Sequence, residues 1–102
     1  MSIVKYIEWT EWLPLQALKA RQISDGPGLY RIRRIGQERW DYLGQTGMGL
    51  RRRLSMLRGV YAPEMPYSDP HTAAPALWAI RHQSGCDFEF SVARIEGTTP
   101  CV

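Results

Sequence analysis

The stretch from Gly28 to Leu57 constrains the fold of this chain more than any other. It follows a run of turn-forming residues, Ser24-Asp25-Gly26-Pro27-Gly28, and opens on Leu29 to Ile35, which reads as a strand. Gly36-Gln37-Glu38 turns the chain, and Arg39 to Leu43 is expected to return as a second strand. A three-residue turn, or a bulge with the same effect, sets Tyr42 opposite Ile32 and Trp40 opposite Arg34. Tyr30 and Tyr42 then share one face, and a slip of one residue would separate them. Gly44 to Gly49 (GQTGMG) is a loop with three glycines. A helix is expected from Leu50 to Arg58, with Leu50, Leu54 and Leu57 as its buried stripe and Gly59 as its stop. Arg53 borders that stripe on a helical wheel and leans toward the hairpin. Arg51, Arg52 and Arg58 are better placed to meet solvent or a phosphate backbone.

The remaining segments fill out one small α+β domain. Residues 26–102 are expected to carry a central antiparallel sheet of about three strands flanked by helices, and residues 1–25 a strand and helix extension. In that extension Ile3, Lys5, Ile7 and Trp9 fall on one face of a short strand. Thr10 offers a cap, and Pro14 suits the first turn of a helix that runs from Leu15 to Arg21. Trp9, Trp12 and Leu13 read as packing groups, with base stacking as the functional alternative for the indoles. The WxxWLP run is also a candidate protein-docking segment. Val60 to Pro70 has three prolines and no helical period, which marks a long loop. A further helix is expected after His71, with Thr72 as cap, Pro75 in the first turn and Gly85 as stop. Leu77, Ile80, Ala73 and Ala76 would face inward. Phe88, Phe90 and Val92 alternate with polar or small residues as the third strand.

The formal charge of +3 and pI near 9.1 suit a polyanionic partner. Eleven of the thirteen basic residues are arginine, and seven of those lie between Arg31 and Arg53. The guanidinium is a planar, permanent cation that matches phosphate geometry. Two cysteines, Cys86 and Cys101, make neither a disulfide framework nor a zinc site. No run approaches the ~20 apolar residues of a membrane span, and MSIVKYIEW lacks the pattern of a secretory leader. A cytoplasmic protein without membrane contact is the expectation.

The triplets Gly28-Leu29-Tyr30 and Tyr42-Leu43-Gly44, with eleven residues between their tyrosines, resemble the signature of the GIY-YIG nuclease family. Leu50-Arg51-Arg52-Arg53-Leu54 is similar to that family's arginine motif, and the likeness covers roughly residues 26 to 97. The resemblance implies a DNA endonuclease domain that uses one divalent cation, Mg2+ or another. Tyr30 and Tyr42 would flank the attacking water, Arg53 would hold the scissile phosphate, and His71 would correspond to a histidine that some members place near the site. Gly28, Gly44, Arg51, Arg52 and Arg58 would complete the substrate-binding set, with DNA as partner. The family's metal-binding glutamate sits on a helix after the third strand, about where this sequence reaches Thr99 to Val102. Glu89 and Glu96 do not align with it, and no metal ligand is identified in the chain. The 102-residue form is therefore expected to be inactive or weak, as a fragment or a natural truncation. A noncatalytic nucleic-acid-binding domain of the same fold is the alternative. An exposed third-strand edge would favour a homodimer. His82, near a helix end, reads as a surface residue that offsets the helix dipole.

Overall fold

The computed structural model of the chain describes residues 7–18, 23, 25–67 and 71–95. Among them are four antiparallel strands in one sheet: β1 (Leu13–Pro14), β2 (Gly28–Arg34), β3 (Tyr42–Thr46) and β4 (Phe88–Arg94), in the spatial order β1-β4-β2-β3. Two α-helices, α1 (Leu50–Ser55) and α2 (Ala74–Ser84), complete an α+β architecture. No helix among the described residues is long and apolar enough to cross a membrane.

The period of two in β2 decides how the sheet is covered. Tyr30 and Ile32 point inward, and Leu29, Arg31 and Arg33 point to the other face. Antiparallel partners share a face, so Phe88, Phe90 and Val92 of β4 join Tyr30 and Ile32. Leu50 and Leu54 of α1 and Leu77 of α2 close over this layer, and all of these residues are buried. Each such side chain stabilises the fold by about 1.5 to 3 kcal/mol relative to exposure.

The β2–β3 register is the expected one, with Tyr42 opposite Ile32 and Gly44 opposite Tyr30. The strand boundaries differ: β3 covers Tyr42–Thr46 rather than Arg39 to Leu43. The cause is Asp41, whose carboxylate accepts the Arg34 backbone N–H at 2.9 Å and the Arg34 guanidinium at 3.0 Å. A side chain thus takes the place of a ladder bond, and Trp40 does not pair with Arg34. The glycine loop shrinks to residues 47–49, where the Thr46 hydroxyl accepts the Met48 N–H at 3.1 Å.

Leu50, Leu54 and Leu57 are buried as expected. The helix is nevertheless shorter than Leu50 to Arg58, because from Met56 to Tyr61 the chain tightens into a 3-10 helix that passes through Gly59. Leu54, Leu57 and Val60 are all buried, and a spacing of three suits three residues per turn. In α2 the expected Thr72 cap is absent: helix bonding starts beyond Ala73, without a side-chain cap. Pro75 does lie in the first turn, and Gly85 ends the helix in the left-handed region at φ 74°. Ala76 is exposed, and Ala74 takes the inward position expected of it.

The N-terminal segment departs most from expectation. Among the described residues a 3-10 turn forms at Leu15–Ala17 and Leu18 is extended; the rest of the expected helix, residues 19–21, lies outside the described residues. The expected strand over residues 1–9 lies mostly outside the described residues, and 7–12 form no strand. Instead this segment lines the outer edge of β4. Thr10 donates its N–H to the Val92 carbonyl at 2.8 Å, and Leu13 pairs with Phe90. The edge that gave a reason for dimerisation is therefore covered by the chain itself.

Candidate active site

Four side chains from four parts of the chain meet at one end of the β2–β3 hairpin. The register places Tyr30 and Tyr42 on the same face, with ring centroids 5.9 Å apart. His71 stands edge-on to both rings, at 5.7 Å from Tyr30 and 5.6 Å from Tyr42. Its Nε2 lies 2.7 Å from the Tyr30 hydroxyl. Arg53, from α1, lies near the same hydroxyl and acts on it through its charge, and its Nη1 also reaches the Met56 sulfur at 3.5 Å.

Gly44 makes this convergence possible. It lies opposite Tyr30, and a Cβ there would fall 2.5 Å from the Tyr30 hydroxyl oxygen and 2.8 Å from Tyr42 Cε2. The hairpin can stack two phenols at this spot only because the third residue of the group has no side chain. Gly28 has a parallel role at the other end of β2, where a Cβ would run into the Ala93 carbonyl and Leu50 Cδ1. That close approach seats the start of α1 on the sheet. Both signature glycines thus have packing roles in this fold.

Hydrogen-bond directions follow from the backbone. The Ala73 N–H donates to His71 Nδ1 at 3.1 Å, so in the neutral ring the imidazole proton sits on Nε2. Nε2–H then donates to the Tyr30 oxygen. The Arg53 guanidinium and Tyr42 lie near enough to the Tyr30 hydroxyl to act on its ionisation. The directed contacts are therefore Ala73 amide to His71 and His71 to Tyr30. His71 and Tyr30 are buried, whereas Tyr42 and Arg53 are partly exposed. Burial pushes the Tyr30 phenol above its ordinary range; Arg53 counteracts this, and the nearby Tyr42 adds to it. At neutral pH Tyr30 is therefore a protonated phenol.

The other arginines do not join this group. Arg52 and Arg58 are exposed. Arg51 is two residues from Arg53, which turns it about 200° around the helix axis. It lines a separate cavity of about 350 Å³ with Arg58, Leu15, Leu18 and Leu57. His82 is exposed near the end of α2 and stacks on Trp78 at 3.8 Å.

Carboxylates are engaged elsewhere. Glu89 pairs with Arg33 at 2.6 Å, Asp41 with Arg34 at 3.0 Å, and Asp87 accepts the Tyr61 hydroxyl at 2.7 Å. Among the described residues no three His, Cys, Asp or Glu side chains gather to hold a metal. A hard divalent cation takes oxygen ligands, and the described residues do not supply such a set. Residues 96–102, including Glu96, lie outside the described residues.

Two members of the cluster's support went unforeseen: the Ala73 amide that orients His71, and Met56 beside Arg53. The sequence signal for the first was the short His71-Thr72-Ala73 approach to a helix, where a side chain commonly takes an orphan amide. No family model, curated protein or solved structure matches this chain.

Proposed function

We propose that this chain is a GIY-YIG-type domain that hydrolyses phosphodiester bonds in DNA with the help of a divalent cation. The observation that carries this reading is the meeting of Tyr30, Tyr42, His71 and Arg53 at one point of the fold. Such hydrolysis needs an activated water and a cationic clamp on the phosphate. Tyr42 and Arg53, the partly exposed pair, meet the water and the phosphate. Tyr30 and His71 act from behind. With its Nδ1 held by the Ala73 amide, His71 serves as a fixed donor rather than a base. Tyr30, its pKa raised by burial, keeps its own proton and holds Tyr42 in place. The Tyr42 hydroxyl oxygen accepts a hydrogen bond from the attacking water and orients it, and the proton released on attack passes to solvent. A divalent cation, when bound, would supply further charge stabilisation; the described residues do not form its site.

That missing ligand set favours one second reading, a nucleic-acid-binding domain that keeps the hairpin and arginine helix without cutting. Nicking of supercoiled plasmid with Mg2+ or Mn2+ separates the two. The assay uses this chain and a version extended by roughly thirty residues, the length of a helix with its connection. Cutting that falls about 100- to 1,000-fold in Arg53→Ala, the usual loss for one transition-state donor, supports the nuclease. Salt-sensitive binding by both versions with cutting by neither supports the second reading. Absence of binding sinks both.

A further inference from the structure

The face of the sheet opposite the tyrosine cluster carries a second arrangement that the reading above does not use. Arg31 and Arg33 alternate outward from β2, and three indoles gather over them. The Arg31 guanidinium lies 4.3 Å from the Trp9 ring, 4.3 Å from the Trp12 ring and 5.0 Å from the Trp40 ring. The Arg33 guanidinium lies 3.8 Å from Trp12. Trp9 and Trp40 meet edge to face at 5.7 Å. The two cations differ in their partners. Arg33 is neutralised by Glu89 at 2.6 Å. Among the described residues Arg31 forms no ion pair, and its Nε is buried without a hydrogen-bond partner. Burial also pulls its pKa down, with the Arg33 charge adding to the effect.

A partly exposed guanidinium whose Nε is buried without a carboxylate, set among indole faces, carries a desolvation cost that packing alone does not require. An apolar side chain would hold the three indoles without that penalty. The same feature suits a ligand that brings both an anion and flat apolar rings. Trp40 is 40% exposed, and Leu43, opposite Arg31 on β3, is 55% exposed. A shallow depression lined by Leu29, Leu43 and Gln45 on this side, and by Tyr42 and Gly44 on the other, crosses the free edge of β3. The Trp–Arg face and the tyrosine cluster are thus joined by a path around one strand.

We propose that this Trp–Arg face binds an unpaired nucleic-acid strand, with bases stacked on Trp40 and its neighbours and a phosphate at Arg31, continuous over the β3 edge with the strand held at the tyrosine cluster. In its second half the proposal rests on the nuclease reading; in its first half it does not. Base–indole stacking is indifferent to sequence and needs a base that is free of its duplex partner. The expected substrate is therefore DNA with a single-stranded tail or branch beside the cleaved bond.

The test is fluorescence anisotropy of a labelled oligo-dT and of a labelled duplex, with tryptophan quenching as a second readout, at about 50 and 200 mM salt. Trp40 lies outside the strands, so Trp40→Ala leaves the sheet intact; circular dichroism checks this. The proposal expects Trp40→Ala to weaken oligo-dT binding about tenfold, the usual scale for one lost stack, with duplex binding unchanged. Trp40→Tyr should restore most of it. Arg31→Met, which keeps the packed stem, should weaken oligo-dT binding and flatten its salt dependence. Failure of the wild-type chain to bind oligo-dT, or equal binding by all four proteins, overturns the proposal and leaves the indoles as a clamp for residues 7–14. Plasmid nicking by Trp40→Ala at the wild-type rate, alongside that failure, would leave the nuclease reading standing. Oligo-dT binding that needs Trp40 but survives Arg53→Ala and Tyr42→Phe, in a chain that never cuts, would do the reverse.

Discussion

Gly44→Ala is the sharpest single test of the tyrosine cluster. The added methyl would lie 2.5 Å from the Tyr30 hydroxyl oxygen and 2.8 Å from Tyr42 Cε2, with Tyr30 Cζ closer still. The Tyr30 ring cannot yield cheaply, because Tyr30 is 1% exposed and packs against buried His71. Overpacking of this kind costs about 1 to 3 kcal/mol. A shift of the Tyr30 ring also stretches its 2.7 Å contact with His71 Nε2 and strands two buried polar groups, which adds about 1 to 3 kcal/mol. A total near 3 kcal/mol lowers Tm by roughly 12 to 24 °C in a domain of this size. Urea unfolding followed by circular dichroism measures it. Gly47→Ala is the control: open space surrounds that position, so its stability should stay within about 0.5 kcal/mol of wild type. Gly44 does not have a positive φ, so backbone strain does not contribute. In a Tyr30→Leu background, which lacks the obstructing ring atoms, the cost of Gly44→Ala should drop below about 1 kcal/mol. Stability of Gly44→Ala within about 0.5 kcal/mol of wild type would refute the packing on which the cluster depends.

Three further outcomes follow from the same contacts. Tyr30→Phe leaves the His71 Nε2–H buried without its acceptor and should cost about 1 to 3 kcal/mol in chemical denaturation, whereas Tyr67→Phe, at an exposed residue, should cost nothing measurable. Tyr30 and Tyr61 both hold their protons more tightly in the fold than their ordinary value of 10.0, mainly through burial. Above that value the folded chain then binds more protons than the unfolded one, so stability is complete below pH ~10 and falls as pH rises further. Tyrosinate absorbance and circular dichroism should show these two phenols ionising only as the chain unfolds, and Tyr61→Phe should shallow the slope. Asp41→Ala removes the acceptor for the Arg34 amide and guanidinium and should cost about 1 to 3 kcal/mol. Asp41→Asn, which keeps a carbonyl for the amide, should cost less in the same thermal melts.

How much of this was legible in the sequence depends on whether a feature is discrete or cumulative. That Tyr30 and Tyr42 share a face is a matter of register, and trimming the start of a strand leaves the pairing of its remaining residues unchanged. The Asp41 carboxylate displaced the start of β3 from Arg39 to Tyr42, yet Tyr42 stayed opposite Ile32. The choice of Arg53 over Arg51 and Arg52 is likewise an angle about a helix axis, set by the buried Leu50 and Leu54 within one turn. Lengths and edges are different, because they sum many small tertiary terms. Whether the turn after Ser55 stays α or tightens depended on Val60 needing burial as much as Leu57. Whether residues 7–14 formed their own strand depended on the demand of the β4 edge for partners, which the Thr10 backbone meets.

Depth is the quantity no local pattern encodes, and it changes the chemistry assigned to the two tyrosines. Glycines flank both, and both lie on the same face, so the sequence treats them as equals. They differ in burial and in one contact: His71, forty-one residues beyond Tyr30, stands equally close to both rings, yet its Nε2 meets only the Tyr30 hydroxyl, and Tyr42 stays partly exposed. A buried phenol that keeps its proton is suited to hold its neighbour in place. A partly exposed phenol beside it is suited to orient the attacking water through its hydroxyl oxygen. If the roles follow from depth in this way, Tyr42→Phe should remove the group that meets water and abolish plasmid nicking. Tyr30→Phe should leave Tyr42 facing water but less firmly held, and should slow the reaction less. Equal losses in the two variants would mean that the two rings act side by side on the phosphate.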